Sequence, residues 1–435
     1  MRSLRFRFES ATVVIVALAL LVVAPWWLIT IGLGLFILWM MLTRVGQQTW
    51  AVAKVGVATI PRRLGASAVV IVGIAGVVGV LVAILAMGAG FERTLKETGT
   101  DDTAIVLAAG ARNEIGSTID HDTVALVSQS EQVLKDAHDQ AVISPDQVLS
   151  VSIPKKSTGL DAPVTLRGIG EHVWELFPQL NIIAGRKIKS GLHELLVGQG
   201  ARENFSGLEI GSAVTFDGQS WTVVGIFHSG DVHDSEIWGD SEVLGSAYRR
   251  EGKVNSLTVR LTNASDLDAF RAELQSDPRL KVSVQTTRRY YSQQSETVSR
   301  MIRIVAATIG GIMAVGAVFG ALNVTYMAIA GRAREIATLR AIGFRGVPVI
   351  VSVLIETMML AAVGGVIGAA LTWAIFDGFI ASTVGDSGQV VFAFNVSPDL
   401  LWSGLKWALV IGIIGGLLPA IRAARMPIVA GLREL

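Results

Sequence analysis

Five side chains of the kinds that ligate metals or move protons, His228, Asp231, His233, Asp234 and Glu236, fall within nine consecutive positions and could together hold a divalent ion. The plainer expectation is a solvated loop after a strand around Trp221, with no metal. A second group is basic. Arg332, Arg334, Arg340 and Arg345 accompany residues 331–344, where Ile336, Leu339 and Ile342 recur on one side of a helix. Such a helix can lie along a membrane surface and be offered to a soluble partner, or can simply connect two apolar runs. The third candidate is one carboxylate, Glu356, inside an apolar run. An acidic group deep in a membrane span costs roughly 2.5 to 3.5 kcal/mol, so Glu356 should face a bundle interior or a wet crevice. There it either pairs statically with backbone, Asn323, Thr325 or Lys406, or changes partner as a hinge.

Other chemistry is excluded. The chain contains no Gly-x-x-x-x-Gly-Lys-Ser/Thr loop to cradle nucleotide phosphates, so any ATP-driven step must be powered by another polypeptide. It has no His-Glu-x-x-His helix and no cysteine, which removes the common zinc sites and a thiolate nucleophile. Basic residues interleaved with aromatics are missing outside the membrane-flanking loops, so no nucleic-acid partner is expected. We expect no catalytic residue, no metal and no cofactor in the chain itself.

The elements that must position these residues follow from composition. Of 435 residues, 51% are hydrophobic and 17% charged, with 46 glycines and a mean hydropathy of +0.53. Residues 91–300 carry 21 Lys+Arg against 29 Asp+Glu and all six histidines, whereas the other 225 residues carry 16 against 7. This is a membrane protein with one polar insertion. Four stretches, about 66–88, 303–329, 348–374 and 401–421, have the roughly 20 apolar residues that a span needs.

A fifth apolar region, residues 11–43, contains Pro25-Trp26-Trp27 and is flanked on both sides by basic residues: Arg2, Arg5 and Arg7 before it, Arg44, Lys54, Arg62 and Arg63 after it. Basic flanks belong in the cytoplasm, so a two-helix hairpin fits better than one tilted span or a re-entrant loop. Residues 44–64, 331–346 and the tail from Arg422 are then inside, 91–300 and 375–400 outside, and both termini cytoplasmic. Gly73-x-x-Gly76-x-x-Gly79, Gly310-Gly311 with Gly316 and Gly320, and Gly364 with Gly368 are expected to let helices approach closely.

Residues 91–300 read as an α+β domain lying between the first and second core helices. Val214–Phe216, Asp217-Gly218 and Trp221–Val224 form the clearest hairpin, since Asp-Gly accepts positive φ. Ser256–Leu261 and Lys281–Gln285 look like strands. Residues 265–276 look helical, with Leu267, Phe270 and Leu274 on one face and Asn263 or Ser265 as the cap.

Arg334-Glu335-Ile336, Leu339-Arg340-Ala341-Ile342-Gly343, Glu356 and Gly364-Gly365-x-x-Gly368 together closely resemble the carboxy-terminal signature of FtsX-like and MacB-like ABC transporter permeases. The tail, Gly416-Leu-Leu-Pro419-Ala420-x-Arg422-Ala423-Ala424-x-x-Pro427 followed by Leu432-Arg433, is similar to that family's closing motif. The resemblance covers about residues 46–435. It implies a type VII machine working by mechanotransmission, in which two permeases, a second copy or a paralogue, sit on a cytoplasmic ABC ATPase dimer that binds ATP and Mg. It further implies contact with membrane lipid, a periplasmic adaptor, and residence as a multi-pass protein of the bacterial cytoplasmic (inner) membrane.

Carried onto this chain, residues 332–344 become the coupling helix, with Arg334, Glu335, Ile336, Leu339, Arg340, Ala341 and Gly343 seating the ATPase. Residues 48–62 become an amphipathic helix with Trp50, Ala53, Val57 and Ile60 on one face, and 286–302 a stalk. The expected domains are 1–45 (amino-terminal membrane hairpin), 46–90 (amphipathic helix and first core helix), 91–300 (external domain with stalk) and 301–435 (three carboxy-terminal membrane helices). The hairpin is an addition to the family's four-span pattern, and no ATPase is fused as in single-chain MacB-type transporters. Export or extraction of an amphiphile is the expected function, and the alternative is an FtsX-type regulator that pulls on a cell-wall hydrolase without transport.

Overall fold

A computed structural model describes residues 24–58, 64–384 and 388–429. Arg2, Arg5 and Arg7 with the first arm of the expected hairpin, Ile60 to Arg63, and the closing Leu432-Arg433 lie outside the described residues. The first described elements are helices α1 (Trp26–Leu42), α2 (Arg44–Ala58) and α3 (Leu64–Glu97). Then come strands β1 (Thr103–Ala108) and β2 (Ile119–Asp120), helix α4 (His121–Ser128), and strands β3 (Ile143–Pro154), β4 (Asp161–Ile169), β5 (Asn181–Gly185), β6 (Glu194–Gly198), β7 (Ala213–Phe216), β8 (Gln219–His228) and β9 (Ile237–Asp240). Helix α5 (Ser241–Ala247), strands β10 (Lys253–Val254) and β11 (Ser256–Arg260), helix α6 (Leu267–Ser276) and strand β12 (Val282–Thr286) lead into helix α7 (Thr287–Ala330). Helices α8 (Ala333–Ala341) and α9 (Gly346–Phe376), strands β13 (Ile380–Val384) and β14 (Gln389–Ala393), and helix α10 (Pro398–Arg425) complete the fold.

Two compact units result. One holds Met1–Met87, Ile302–Gly378 and Asn395–Leu435, the other Gly88–Met301 with Phe379–Phe394, and helices α3 and α7 contribute residues to both. The second unit therefore takes in β13 and β14, which sequence reasoning left within the 301–435 membrane block. Local bonds explain the placement. The Val391 amide donates to Ser235 Oγ at 2.8 Å, and Lys155 Nζ donates to Ser382 Oγ at 3.3 Å.

In the membrane unit, α3, α7, α9 and α10 are long and apolar enough to cross a bilayer, and α1 with α2 would pass the same test together but for a bend of 100° between them. Helix α1 is apolar on every side, with Trp26, Ile31, Leu35, Leu38 and Leu42 all exposed, as a lipid-facing helix should be. Thr43 ends it, and its Oγ1 accepts the Gly46 amide at 2.9 Å, capping α2. Helix α2 packs on α9. Its buried stripe is Gly46, Thr49, Val52, Ala53 and Gly56, small residues that let two backbones approach. Of the residues expected on one face, Ala53 is buried whereas Trp50 is exposed, with Lys54 Nζ 5.5 Å from its ring centroid.

Helix α9 is held on both sides by glycines. A Cβ at Gly364 would lie 2.8 Å from the Ile71 carbonyl oxygen and one at Gly368 would collide with that of Ala75, both in α3. Against α10, Gly365 meets Ala408, Gly412 meets Ala361, and Gly416 meets Thr357. By contrast nothing among the described residues lies within 4 Å of a Cβ at Gly73, Gly76, Gly311, Gly316 or Gly320, so these expected packing positions touch no neighbouring described helix.

The second unit is built on a ten-stranded sheet in the order β12-β1-β11-β3-β4-β9-β6-β8-β5, with β7 also paired to β8. All pairings are antiparallel except β4 with β9 and β6 with β8. The β7–β8 turn has Asp217 at φ 47° and Gly218 at φ 78°, the positive pair that a tight hairpin requires. One apolar cluster gathers around Trp221, Phe205 and Leu195, another around Phe270 and Leu274 from α6. Asn263 and Asp266 form a reciprocal capping box ahead of α6.

Candidate functional site

Helix α8 joins α7 to α9, and its sequence explains both of its faces. Ala333, Ile336 and Ala337 are buried, and Ile336 packs in a cluster with Ile329, Val349, Val353, Ala420 and Ala423. Arg334, Glu335 and Ala341 are exposed, Leu339 and Arg340 are half-buried, and Ile342 is 73% exposed. The expected stripe of Ile336, Leu339 and Ile342 thus divides: Ile336 anchors the helix, whereas Ile342 offers apolar surface outward.

The end of α8 is closed by its own backbone. The Phe344 amide donates to the Leu339 carbonyl and the Gly343 amide to that of Arg340, both at 3.1 Å, with Gly343 at φ 107°. This is the paired bonding that glycine after a helix permits. Arg340 Nη1 donates back to the Met426 carbonyl, so it ties α8 to the residue following α10. Its first role lies within the chain.

Glu356 has a partner that sequence reasoning did not name. Arg332, between α7 and α8, donates from Nη1 to Glu356 Oε2 at 3.2 Å and from Nε to Glu335 Oε2 at 3.1 Å. Lys406, one of the expected partners, donates instead to the Ala24 carbonyl at 3.4 Å. Beside the pair is a cavity of about 390 Å³, bounded by Ser67, Thr325, Arg332, Ile336, Glu356 and Thr357 among others. Glu356 therefore borders a crevice, as an acidic residue in an apolar helix should.

The cluster at 228–236 is not the solvated loop expected. His233, Asp231 and Glu236 are buried, and they separate into different pairs. His233 Nδ1 lies 2.9 Å from Asp231 Oδ1, and His228 Nδ1 lies 2.9 Å from Asp234 Oδ2. Burial opposes charge on His233, but Asp231 overcomes it and holds the imidazole above its ordinary value. Burial likewise works against the Asp231 carboxylate, yet His233 brings it down to about 2.

Glu236 turns away to Arg167, whose Nε donates at 2.8 Å and Nη2 at 2.9 Å. The same guanidinium binds Glu114 at 2.8 and 3.0 Å and reaches Asp146 at 3.5 Å. Trp238 Nε1 donates to Glu236, Ser256 to Glu114, and Ser144 and Thr258 to Asp146. Despite burial, Glu114 and Glu236 hold Arg167 well above its usual range, and Arg167 holds Glu114 below its own. Burial wins at Asp146, which rises to about 6. Among the described residues no group of three or more ligating side chains is placed to hold a metal ion. A guanidinium occupies the centre where a cation would have to sit, so this is a structural charge knot.

Comparison with known proteins adds the family. Residues 67–277 match the MacB-like periplasmic core domain and residues 307–428 the FtsX-like permease C-terminal. The chain is 24% identical over 310 residues to the macrolide export ATP-binding/permease protein MacB of Vibrio parahaemolyticus, covering 66% of this chain and 45% of that protein. It is 22% identical over 394 residues to the protein of the same name in Neisseria gonorrhoeae, covering 82% and 56%. With an uncharacterized ABC transporter permease of Methanocaldococcus jannaschii it shares 22% over 246 residues, covering 55% and 61%. The chain spans about half the length of the curated relatives it matches. Among solved structures, the extracellular domain of the noncanonic ABC-type transporter YknZ from Gram-positive bacteria is similar at a TM-score of 0.33 and 16% identity, covering 42% of this chain and all of that one. Two successive domain matches, in the order in which the α+β unit and the last three long helices occur, say what the chain is: it belongs to the FtsX-like and MacB-like family of ABC transporter permeases.

Proposed function

We propose that this chain is the membrane-spanning subunit of an ABC machine of the cytoplasmic membrane, driven by a separate ATPase dimer on the cytoplasmic side, and that it exports or extracts an amphiphilic substrate by transmitting motion. It contributes no catalytic residue. ATP and Mg belong to the ATPase, and a second permease copy or paralogue completes the assembly. The observation that carries this reading is α8: a short helix between two long apolar ones, anchored by Ile336 on one face and leaving Arg334, Glu335, Ala341 and Ile342 uncovered. An exposed isoleucine beside charged residues is what a protein interface uses at its centre and rim.

Helix α7 supports the mechanical part. Its 44 residues form one uninterrupted helix, about 66 Å long at 1.5 Å per residue, roughly twice the hydrocarbon thickness. A rigid rod of that length carries displacement further than a loop could. The amphiphilic substrate follows from the Vibrio and Neisseria relatives, whose names specify macrolide export.

The test is co-expression with an ABC ATPase encoded beside the chain, followed by purification in lipid nanodiscs. The pair should co-purify, and Ile342→Asp or Arg334→Glu should weaken capture at least about tenfold, as loss of an interface anchor does. Capture unaffected by either change would remove α8 from the interface. Failure of the unaltered chain to bind the ATPase would remove the reading itself.

A further inference from the structure

Arg332 stands where three elements of the membrane unit meet. It precedes the first residue of α8, and its guanidinium bridges Glu335 in α8 and Glu356 in α9. The Arg332 and Glu356 side chains are 11% and 15% exposed, whereas Glu335 is 56% exposed. The more deeply held arm of this bridge is therefore the one to α9. The third element is α2. A Cβ at Gly56 would lie 3.2 Å from Glu356 Oε2 and 3.5 Å from Arg332 Nη1, so the pair occupies the space that a larger residue there would need.

The pair differs in kind from the contacts around it. Ile336, Val349 and Val353 join α8 to α9 by apolar packing, which resists compression but lets surfaces slide and part at modest cost. An ion pair sheltered from water resists separation as well, because opposite charges that are poorly screened attract each other as they are drawn apart. The adjoining cavity of about 390 Å³ leaves the two side chains room to shift together. A connection that holds in tension and has space beside it is suited to carrying a stroke from a docked helix to a membrane helix.

We propose that Arg332 is the positioning residue that couples α8 to α9: through Glu356 it pulls α9 along when α8 is displaced, and Gly56 of α2 is kept free of a side chain so that the pair can form. This rests on the reading of α8 as the ATPase-docking helix. Arg332 is not itself on the uncovered face of α8 but bonds Glu335 there, so Glu356→Gln, which leaves that bond in place, is the variant that separates transmission from docking.

The experiment uses the full chain with its ATPase in nanodiscs and compares the unaltered protein with Arg332→Met, Glu356→Gln, Arg332→Lys and Gly56→Leu. Co-purification, the KM for ATP, and the ratio of hydrolysis with and without a macrolide probe are all measured. Arg332→Met and Glu356→Gln should leave co-purification and KM within about twofold while the stimulation ratio falls at least about fivefold, the lower end of ordinary coupling factors. Arg332→Lys, which keeps the charge, should restore at least half of the ratio. Gly56→Leu leaves both charges in the chain and should lower the ratio as Arg332→Met does, which covers the case in which Arg332→Met fails to fold. Normal stimulation in Arg332→Met, or in Gly56→Leu where Arg332→Met does not fold, would overturn the proposal while leaving docking intact. An unaltered chain that binds no ATPase would overturn the docking reading first, a distinct result.

Discussion

Arg167 faces three carboxylates, Glu114, Glu236 and Asp146, and only the first two receive close bonds from it. Asp146, at 3.5 Å, is left with two hydroxyl donors, and its burial pushes it up to about 6 from an ordinary 3.8. The sign follows. A raised carboxyl binds a proton more tightly folded than unfolded, so its stabilisation is complete below about pH 3.8 and is lost as pH rises through about 6. The shift corresponds to about 3 kcal/mol. Asp231 acts in the opposite sense, since a carboxyl lowered to about 2 adds stability above pH 3.8 that disappears as pH falls through 2. Asp146→Asn should therefore leave stability near pH 3 almost unchanged, raise it by about 1.5 kcal/mol near pH 5 and by up to about 3 kcal/mol near pH 8, seen as a flatter profile of unfolding temperature for the full chain in nanodiscs. A profile as steep as that of the unaltered chain would exclude Asp146 as its source. Arg167→Leu, which strands two or three buried carboxylates, should destabilise by about 3 to 5 kcal/mol in the same assay. None of this knot was legible in the sequence. Residues 114, 146, 167 and 236 come together only through sheet register, and only the 228–236 group was contiguous enough to notice.

Elements were far easier to read than their contacts. Apolar length located the four long helices, and Asp217-Gly218 located the hairpin, because bilayer thickness and positive φ are constraints that local sequence must satisfy directly. Which face of a helix packs is a tertiary fact. Gly73 and Gly364 look alike in a sequence, yet a Cβ on the first would meet nothing among the described residues and the second lies against the α3 backbone. The face shared by Trp50 and Ala53 divides for the same reason, since α2 buries its small residues and leaves the indole outside. Gly368→Val should thus force α9 off α3, costing about 1 to 3 kcal/mol or more by overpacking, whereas Gly73→Val should be nearly neutral in the isolated chain. Thermal unfolding of the two variants side by side makes the comparison, and equal losses would show that the α3–α9 contact is not as tight as drawn. The signature around α8 was legible as a motif, but its division into the anchor Ile336, the tie Arg340 and the uncovered Ile342 required the neighbours that α9 and α10 supply.

For the whole molecule, the proposed docking of α8 on an ATPase is of use only if the motion is carried beyond α8. The long α7, which contributes to both units, and the glycine-lined packing of α9 against α3 and α10 are the parts available for that. The central claim is that ATP hydrolysis by a bound partner is geared to an amphiphile through this chain. The most direct measurement is hydrolysis by the reconstituted chain and ATPase in nanodiscs, with and without a macrolide and, separately, with extracytoplasmic partner proteins. The account predicts that the amphiphile alone raises turnover at least about fivefold and that Arg332→Met abolishes the rise. Turnover that ignores every amphiphile and answers only to a protein partner would contradict it, and would favour a force-transmitting regulator of a cell-wall hydrolase.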